Sequence, residues 1–169
     1  MERLRRALRG ADRGETPGLP VGEAMHPLTL LAVLVLVVND WVLKPAFHDS
    51  SALGELVTGK LSDVAGLVFA PVVLSAAIGL VLALVARLGS RPAIDPYLTR
   101  RRLGVCIAAT GLTFAAVKLS PDAADALARA LSHVGRRASI MADRTDLLAL
   151  PSLLVAYWIG RDELRWLAR

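Results

Sequence analysis

The sequence predicts an all-α integral membrane protein. We expect a four-helix transmembrane bundle built as a tandem repeat of two-span hairpins, with a short amphipathic helix in the second outer loop. Three observations lead there. The 169 residues are 54% hydrophobic with a mean hydropathy of +0.51, yet 21% are charged, so polar and apolar residues are segregated into blocks. Four apolar runs follow one another without the alternation a membrane barrel requires. Lys and Arg collect in alternate inter-run segments, as they do where they set membrane orientation.

Residues 1–25 carry Gly10, Gly14, Pro17, Gly18, Pro20 and Gly22, which argue for a flexible basic cytoplasmic tail. Within it, Arg3 to Arg9 fit a short basic helix on anionic lipid. Residues 26–169 form a single four-span membrane domain, with spans at about 27–45, 62–86, 102–119 and 145–160. The first run, Pro27 to Leu43, is interrupted by Asn39 and Asp40. Read as a secretory signal, it would need cleavage near Ser50-Ser51-Ala52, but Asp40 and the bulky Trp41-Val42-Leu43-Lys44 argue against that. The second run, Val64 to Ala86, has 23 residues without a charge, enough for the roughly 20 that a bilayer requires. The third (Leu103–Val117) and fourth (Leu147–Gly160) runs are short. They reach span length only by taking in Lys118 and Asp146; otherwise they are buried helices.

Arg3, Arg5, Arg6, Arg9, Arg13, Arg87, Arg91, Arg100, Arg101, Arg102, Arg161, Arg165 and Arg169 fall on one side. Lys44, Lys60, Lys118, Arg129, Arg136, Arg137 and Arg144 fall on the other. The richer side should be cytoplasmic, placing both termini inside and loops 45–62 and 119–145 outside. Trp41 and Phe47 then anchor the outer boundary, and Tyr157, Trp158 and Trp166 the inner one, with Tyr97 in the inner loop. The Ala-, Leu-, Arg- and Gly-rich composition fits a GC-rich bacterial genome, hence a multi-pass protein of the bacterial cytoplasmic (inner) membrane.

The repeat rests on matching junctions. Run one ends Val42-Leu43-Lys44-Pro45, and run three ends Val117-Lys118-Leu119-Ser120-Pro121. Run two follows Ser62-Asp63 and run four follows Thr145-Asp146, each with an early proline, Pro71 or Pro151. Two spans per half give a parallel repeat about an axis along the membrane normal. The second outer loop opens Ser120-Pro121-Asp122, a helix start. Ala124, Leu127, Leu131 and Val134 then give an amphipathic helix, closed by Gly135, that lies on the outer face or caps the bundle. Ser51 to Val57 reads as a short helical turn closed by Gly59. Ser62, Gly66 and Ala70, then Ser75, Gly79 and Ala83, and Gly104, Ala108, Gly111 and Ala115 form small-residue stripes that let helix backbones approach.

The candidate site is a level of charges in the outer half of the membrane. At 1.5 Å per residue, Lys118 lies about 24 Å from Arg102, Asp146 about 22 Å from Arg161, and Asp40 about 21 Å from His26. Asp40 and Lys44 are i, i+4 and suit a pair on one face. Lys118 with Asp146, and Lys44 with Asp63, are the expected cross-helix pairs. One reading is a ligand pocket lined by Asn39, Asp40, Lys44, Lys60, Asp63, Lys118 and Asp146; the other is a set of ion pairs stapling the helices. Arg136, Arg137 and Arg144 are either solvated or bind lipid headgroup phosphate. His48 is a candidate proton relay or an inert exposed side chain.

Catalytic signatures are lacking. The sequence has no Walker A, GxGxxG, HExxH, GxSxG or SxxK motif. A single cysteine, Cys106, excludes an internal disulfide, a CxxC pair and a Cys-based zinc site, and is expected in packing. His26, His48 and His133 show no i, i+4 ligand spacing. No cofactor, metal or catalytic residue is expected, and the basic residues lack the aromatic interleaving that binds nucleic acid. The expected function is an interaction or accessory subunit whose partners are membrane lipids and a membrane protein or a second copy. The alternatives are a small transporter or ligand-binding protein using the Lys/Asp level, and a lipid-modifying enzyme.

Overall fold

A computed structural model describes residues 19–47, 52–89, 95–133 and 140–168. All regular structure among them is helical. Residues 1–18, His48, the Ser50-Ser51 region, Gly135, Arg136 and Arg137 lie outside these segments.

Helix α1 spans Pro27–Phe47. Proline occupies its first turn, where the missing N–H costs nothing, and His26 caps it by accepting the Leu28 N–H on Nδ1 at 3.2 Å. The helix widens to π geometry over Asn39–Leu43 before closing again at Lys44–Phe47. Helix α2 spans Ala52–Arg87. Its 36 residues reach about 54 Å, well beyond a roughly 30 Å hydrocarbon core. Helix α3, Arg100–Leu119, is capped by Thr99. Ser120 ends α3 and caps α4, Pro121–Ser132. A 3₁₀ helix over Arg144–Ser152, capped by Asp143, runs directly into α5, Leu153–Leu167.

Helix α2 is the hub. It contacts α1, α3, the 3₁₀ helix and α5, and α5 also packs on α3 and on α1. The core joins Ala32 of α1, Val68 and Val72 of α2, and Ala156 and Ile159 of α5, with Phe69 and Val155 packed against them. Cys106 is buried in α3. Outward-facing positions are strongly apolar: Leu31, Leu34, Trp41, Val81, Leu112 and Leu154 are all exposed. That inside-out pattern is the signature of a protein whose solvent is lipid. Among the described residues, three helices are long and apolar enough to cross a membrane: Pro27–Phe47, the Val57–Arg87 stretch of α2, and Arg100–Leu119.

The structure departs from the sequence reading in several places. Ser51–Val57 is no separate turn, since α2 runs through Gly59 without a break. Helix therefore covers the described part of the loop expected at 45–62, over 45–47 and 52–62. Thr58 donates to the Gly54 carbonyl at 2.9 Å, and Asn39 grips the Thr58 carbonyl from α1, so this turn is held helical. The last residues of the expected tail, 19–25, fold onto the helices; Glu23 is 2% exposed. The small-residue stripe is used unevenly. A Cβ at Gly79 would meet the Pro96 and Pro20 carbonyls and Arg102, and one at Gly111 would meet Leu153, whereas Gly66 and Gly104 face open space. Among the described elements, α4 touches α3 alone, so it does not cap the other helices.

The 3₁₀ stretch has a geometric consequence. At about 2.0 Å per residue, against 1.5 Å for an α-helix, it lengthens the path from Asp146 to Arg161 to roughly 26 Å from the roughly 22 Å of a pure α-helix. A short apolar run is thereby stretched toward membrane thickness.

Candidate functional site

The candidate polar residues gather at the end of the molecule where α1 ends, α2 and the 3₁₀ helix begin, and α3 ends. The centre is Lys118, near the C-terminus of α3. Its Nζ lies 2.5 Å from Asp146 Oδ2 and 3.2 Å from Asp63 Oδ2. It also sits 5.5 Å from the centroid of the Phe114 ring, one turn back, a favourable cation–π placement. Lys60, on α2, donates to Asp146 Oδ1 at 3.0 Å and to Thr145 Oγ1 at 2.8 Å. Asp146 thus takes one lysine on each carboxylate oxygen. Lys118, Asp63 and Asp146 are largely buried, with side-chain exposures of 13%, 19% and 12%. Charges so shielded are tolerated only when paired.

Local chemistry positions the acid. Asp143 accepts the Thr145 N–H at 2.8 Å and opens the 3₁₀ helix. This sets Asp146 on the first turn, facing α2 and α3. Pro151, which has no N–H to donate, lies inside this 3₁₀ stretch.

A second arm lies on α1. Asp40 pairs with Lys44 at 2.7 Å, the i, i+4 contact expected from spacing. Lys44 is therefore committed within α1, and the cross-helix pair expected between Lys44 and Asp63 does not form. Lys118 takes Asp63 instead, because α3 brings its ammonium between the two carboxylates. Ser62 ties the arms together, donating to Asp40 Oδ1 at 2.9 Å and accepting from Asn39 Nδ2 at 2.7 Å. Asn39 Nδ2 also donates to the Thr58 carbonyl at 2.7 Å. Its Oδ1 is buried without a hydrogen-bond partner. The π stretch begins at this asparagine, so the widened turn coincides with the polar contact to α2.

Arg144, expected as solvated or lipid-facing, is exposed at the start of the 3₁₀ helix. Ser62, Thr58 and Thr145 complete the cluster and were not among the expected site residues. Their signal was modest: hydroxyls beside Asp63, Lys60 and Asp146.

A second polar cluster lies at the opposite end. Ser75 donates to Glu23 Oε1 at 2.9 Å and accepts from Arg102 Nε at 3.1 Å. Arg102 Nη1 donates to the Pro96 carbonyl at 2.9 Å, and Nη2 lies 3.8 Å from Glu23 Oε1. Thr29 binds the Glu23 carbonyl at 3.0 Å. The sequence showed Arg102 as one of many basic residues between runs. Its acid lies 79 positions upstream, beyond the reach of any local pattern.

Comparison with protein families, with characterised proteins and with solved structures gives no match. The functional reading rests on this geometry alone.

Proposed function

We propose that the chain is a four-span protein of the bacterial cytoplasmic membrane, with both termini inside, and that it acts as an interaction or accessory subunit. One observation carries this reading: the charge level cancels itself. Lys44 is matched by Asp40, Lys60 by Asp146, and Lys118 by Asp63 and Asp146 together. Three lysines against three aspartates leave no net charge to recruit an ion or a charged substrate. Such a cluster clamps helix ends: the Lys60 and Lys118 pairs join α2, α3 and the 3₁₀ helix, and the hydrogen bonds of Asn39 and Asp40 tie α1 to α2. Work is then left to the lateral apolar surface, through contact with lipid and with a membrane-protein partner or a second copy. In this reading α5 and its 3₁₀ extension are the fourth span, and residues 27–86 and 103–160 are the two halves of a tandem repeat. The matching junctions, Lys44-Pro45 with Lys118 to Pro121 and Ser62-Asp63 with Thr145-Asp146, are what support that pairing of halves.

The test is native mass spectrometry of the full-length chain extracted from its own membrane in mild detergent. A membrane protein co-extracted at fixed stoichiometry, and retained in Asp63→Asn, is the expected result. A lone chain holding a small ligand that Asp63→Asn releases would overturn it.

That outcome would favour a second reading, a transporter or ligand-binding protein using the same level. The buried, unpartnered Oδ1 of Asn39 beside the π turn is the observation behind it. This second reading fails if Asp63→Asn and Asp146→Asn, made singly, each restore every phenotype of a deletion strain.

A further inference from the structure

Far from the Lys/Asp level, a cavity of about 350 Å³ lies between the start of α1 and the face of α5, lined by His26, Leu28, Trp158, Arg161, Asp162 and Arg165. The α5 residues recur at three- and four-residue spacing, so Trp158, Arg161, Asp162 and Arg165 share one side of the helix. Asp162 is engaged with His26, Oδ2 to Nε2 at 3.5 Å. His26 is fixed in turn, because its Nδ1 accepts the Leu28 N–H. The two guanidiniums are exposed, and neither has a carboxylate partner among the described residues. Two cations without an acid partner among the described residues therefore face a cavity whose one acid, Asp162, lies against His26. Leu28 and the exposed Trp158 ring give the same cavity an apolar wall.

We propose that this cavity binds the phosphate group of an anionic phospholipid, held by Arg161 and Arg165. Guanidinium forks match phosphate geometry. Basic pockets between membrane helices are suited to anionic headgroups, and Trp sits at headgroup depth. The α1 N-terminus adds the positive end of its helix dipole to the same rim. The proposal rests on the membrane placement of the chain and not on the role of the Lys/Asp level, so either can fail alone.

The experiment is lipid titration of the detergent-solubilised full chain, read by native mass spectrometry, with phosphatidylglycerol, phosphatidylcholine and inorganic phosphate as probes. Phosphatidylglycerol should bind at one per chain and exceed phosphatidylcholine. R161Q/R165Q should weaken it about thirtyfold, the effect of removing two basic groups near a headgroup. R161K/R165K should recover part of the binding, and R100Q/R101Q, exposed arginines outside the cavity, should leave it unchanged. If inorganic phosphate binds with the same dependence on Arg161 and Arg165 and displaces the lipid, the site stands with free phosphate as its source. Wild-type lipid retention in R161Q/R165Q, or equal losses in both glutamine pairs, would overturn the proposal. If the double variant does not fold, R165Q alone is titrated, with a reduced loss expected and none overturning the assignment.

Discussion

Lys118 is the residue on which the polar cluster turns. It faces two carboxylates, yet only one depends on it, because Lys60 still neutralises Asp146. Lys118→Met should therefore destabilise the protein by about 3 kcal/mol, through the stranded Asp63. Adding Asp63→Asn to that variant should recover most of the loss. Unfolding in detergent measures both, and a double variant as unstable as Lys118→Met would refute the division of partners. Glu23 has the same role at the other end. Glu23→Ala leaves Arg102 buried against only a hydroxyl and carbonyls, and should also cost about 3 kcal/mol. Hydrogen exchange of residues 19–25 should rise with it; unchanged protection there would show that Glu23 does not hold the segment. The Asp40–Lys44 pair was legible from spacing because both residues lie on one helix. The Glu23–Arg102 pair was not, because its partners meet only after three helices have packed.

At the scale of the element, glycine is informative where backbones approach and uninformative elsewhere. Spacing alone gave Gly66 and Gly79 equal standing in two successive stripes. In the structure, only Gly79 is crowded, by the chain before α1 and the chain before α3. Gly79→Ala should cost about 1–3 kcal/mol, as overpacking does. Gly66→Ala, in open space within a helix, should gain up to about 1 kcal/mol. Thermal unfolding of the two variants side by side checks this, and equal effects would contradict the packing. The fourth apolar run shows a related limit. Its proline was visible, but periodicity does not distinguish a 3₁₀ from an α winding over nine residues. The tighter form accompanies the anchoring of Asp146 between two lysines, a tertiary contact.

For the whole molecule, the basic-residue asymmetry leads to a topology prediction. Cys106 is the one cysteine, so Cys106→Ala yields a cysteine-free background. In that background, an impermeant maleimide should label Asp143→Cys in intact cells and Asp162→Cys only after permeabilisation. Both positions are exposed, Asp143 at the start of the 3₁₀ helix and Asp162 toward the end of α5. The reverse labelling pattern would invert the orientation, and labelling of both in intact cells would remove the fourth span.

The sequence by itself determined an all-helical protein with membrane-length apolar helices. Those features depend on composition and on short-range periodicity, which every stretch of chain carries locally. It also marked most of the charged level, because charges interrupting apolar runs stand out. Tertiary structure decided which charge meets which, which glycines are crowded, and that residues 19–25 belong to the fold. Those outcomes depend on contacts between helices far apart in sequence. They are fixed by the burial of polar groups that must find partners wherever packing places them.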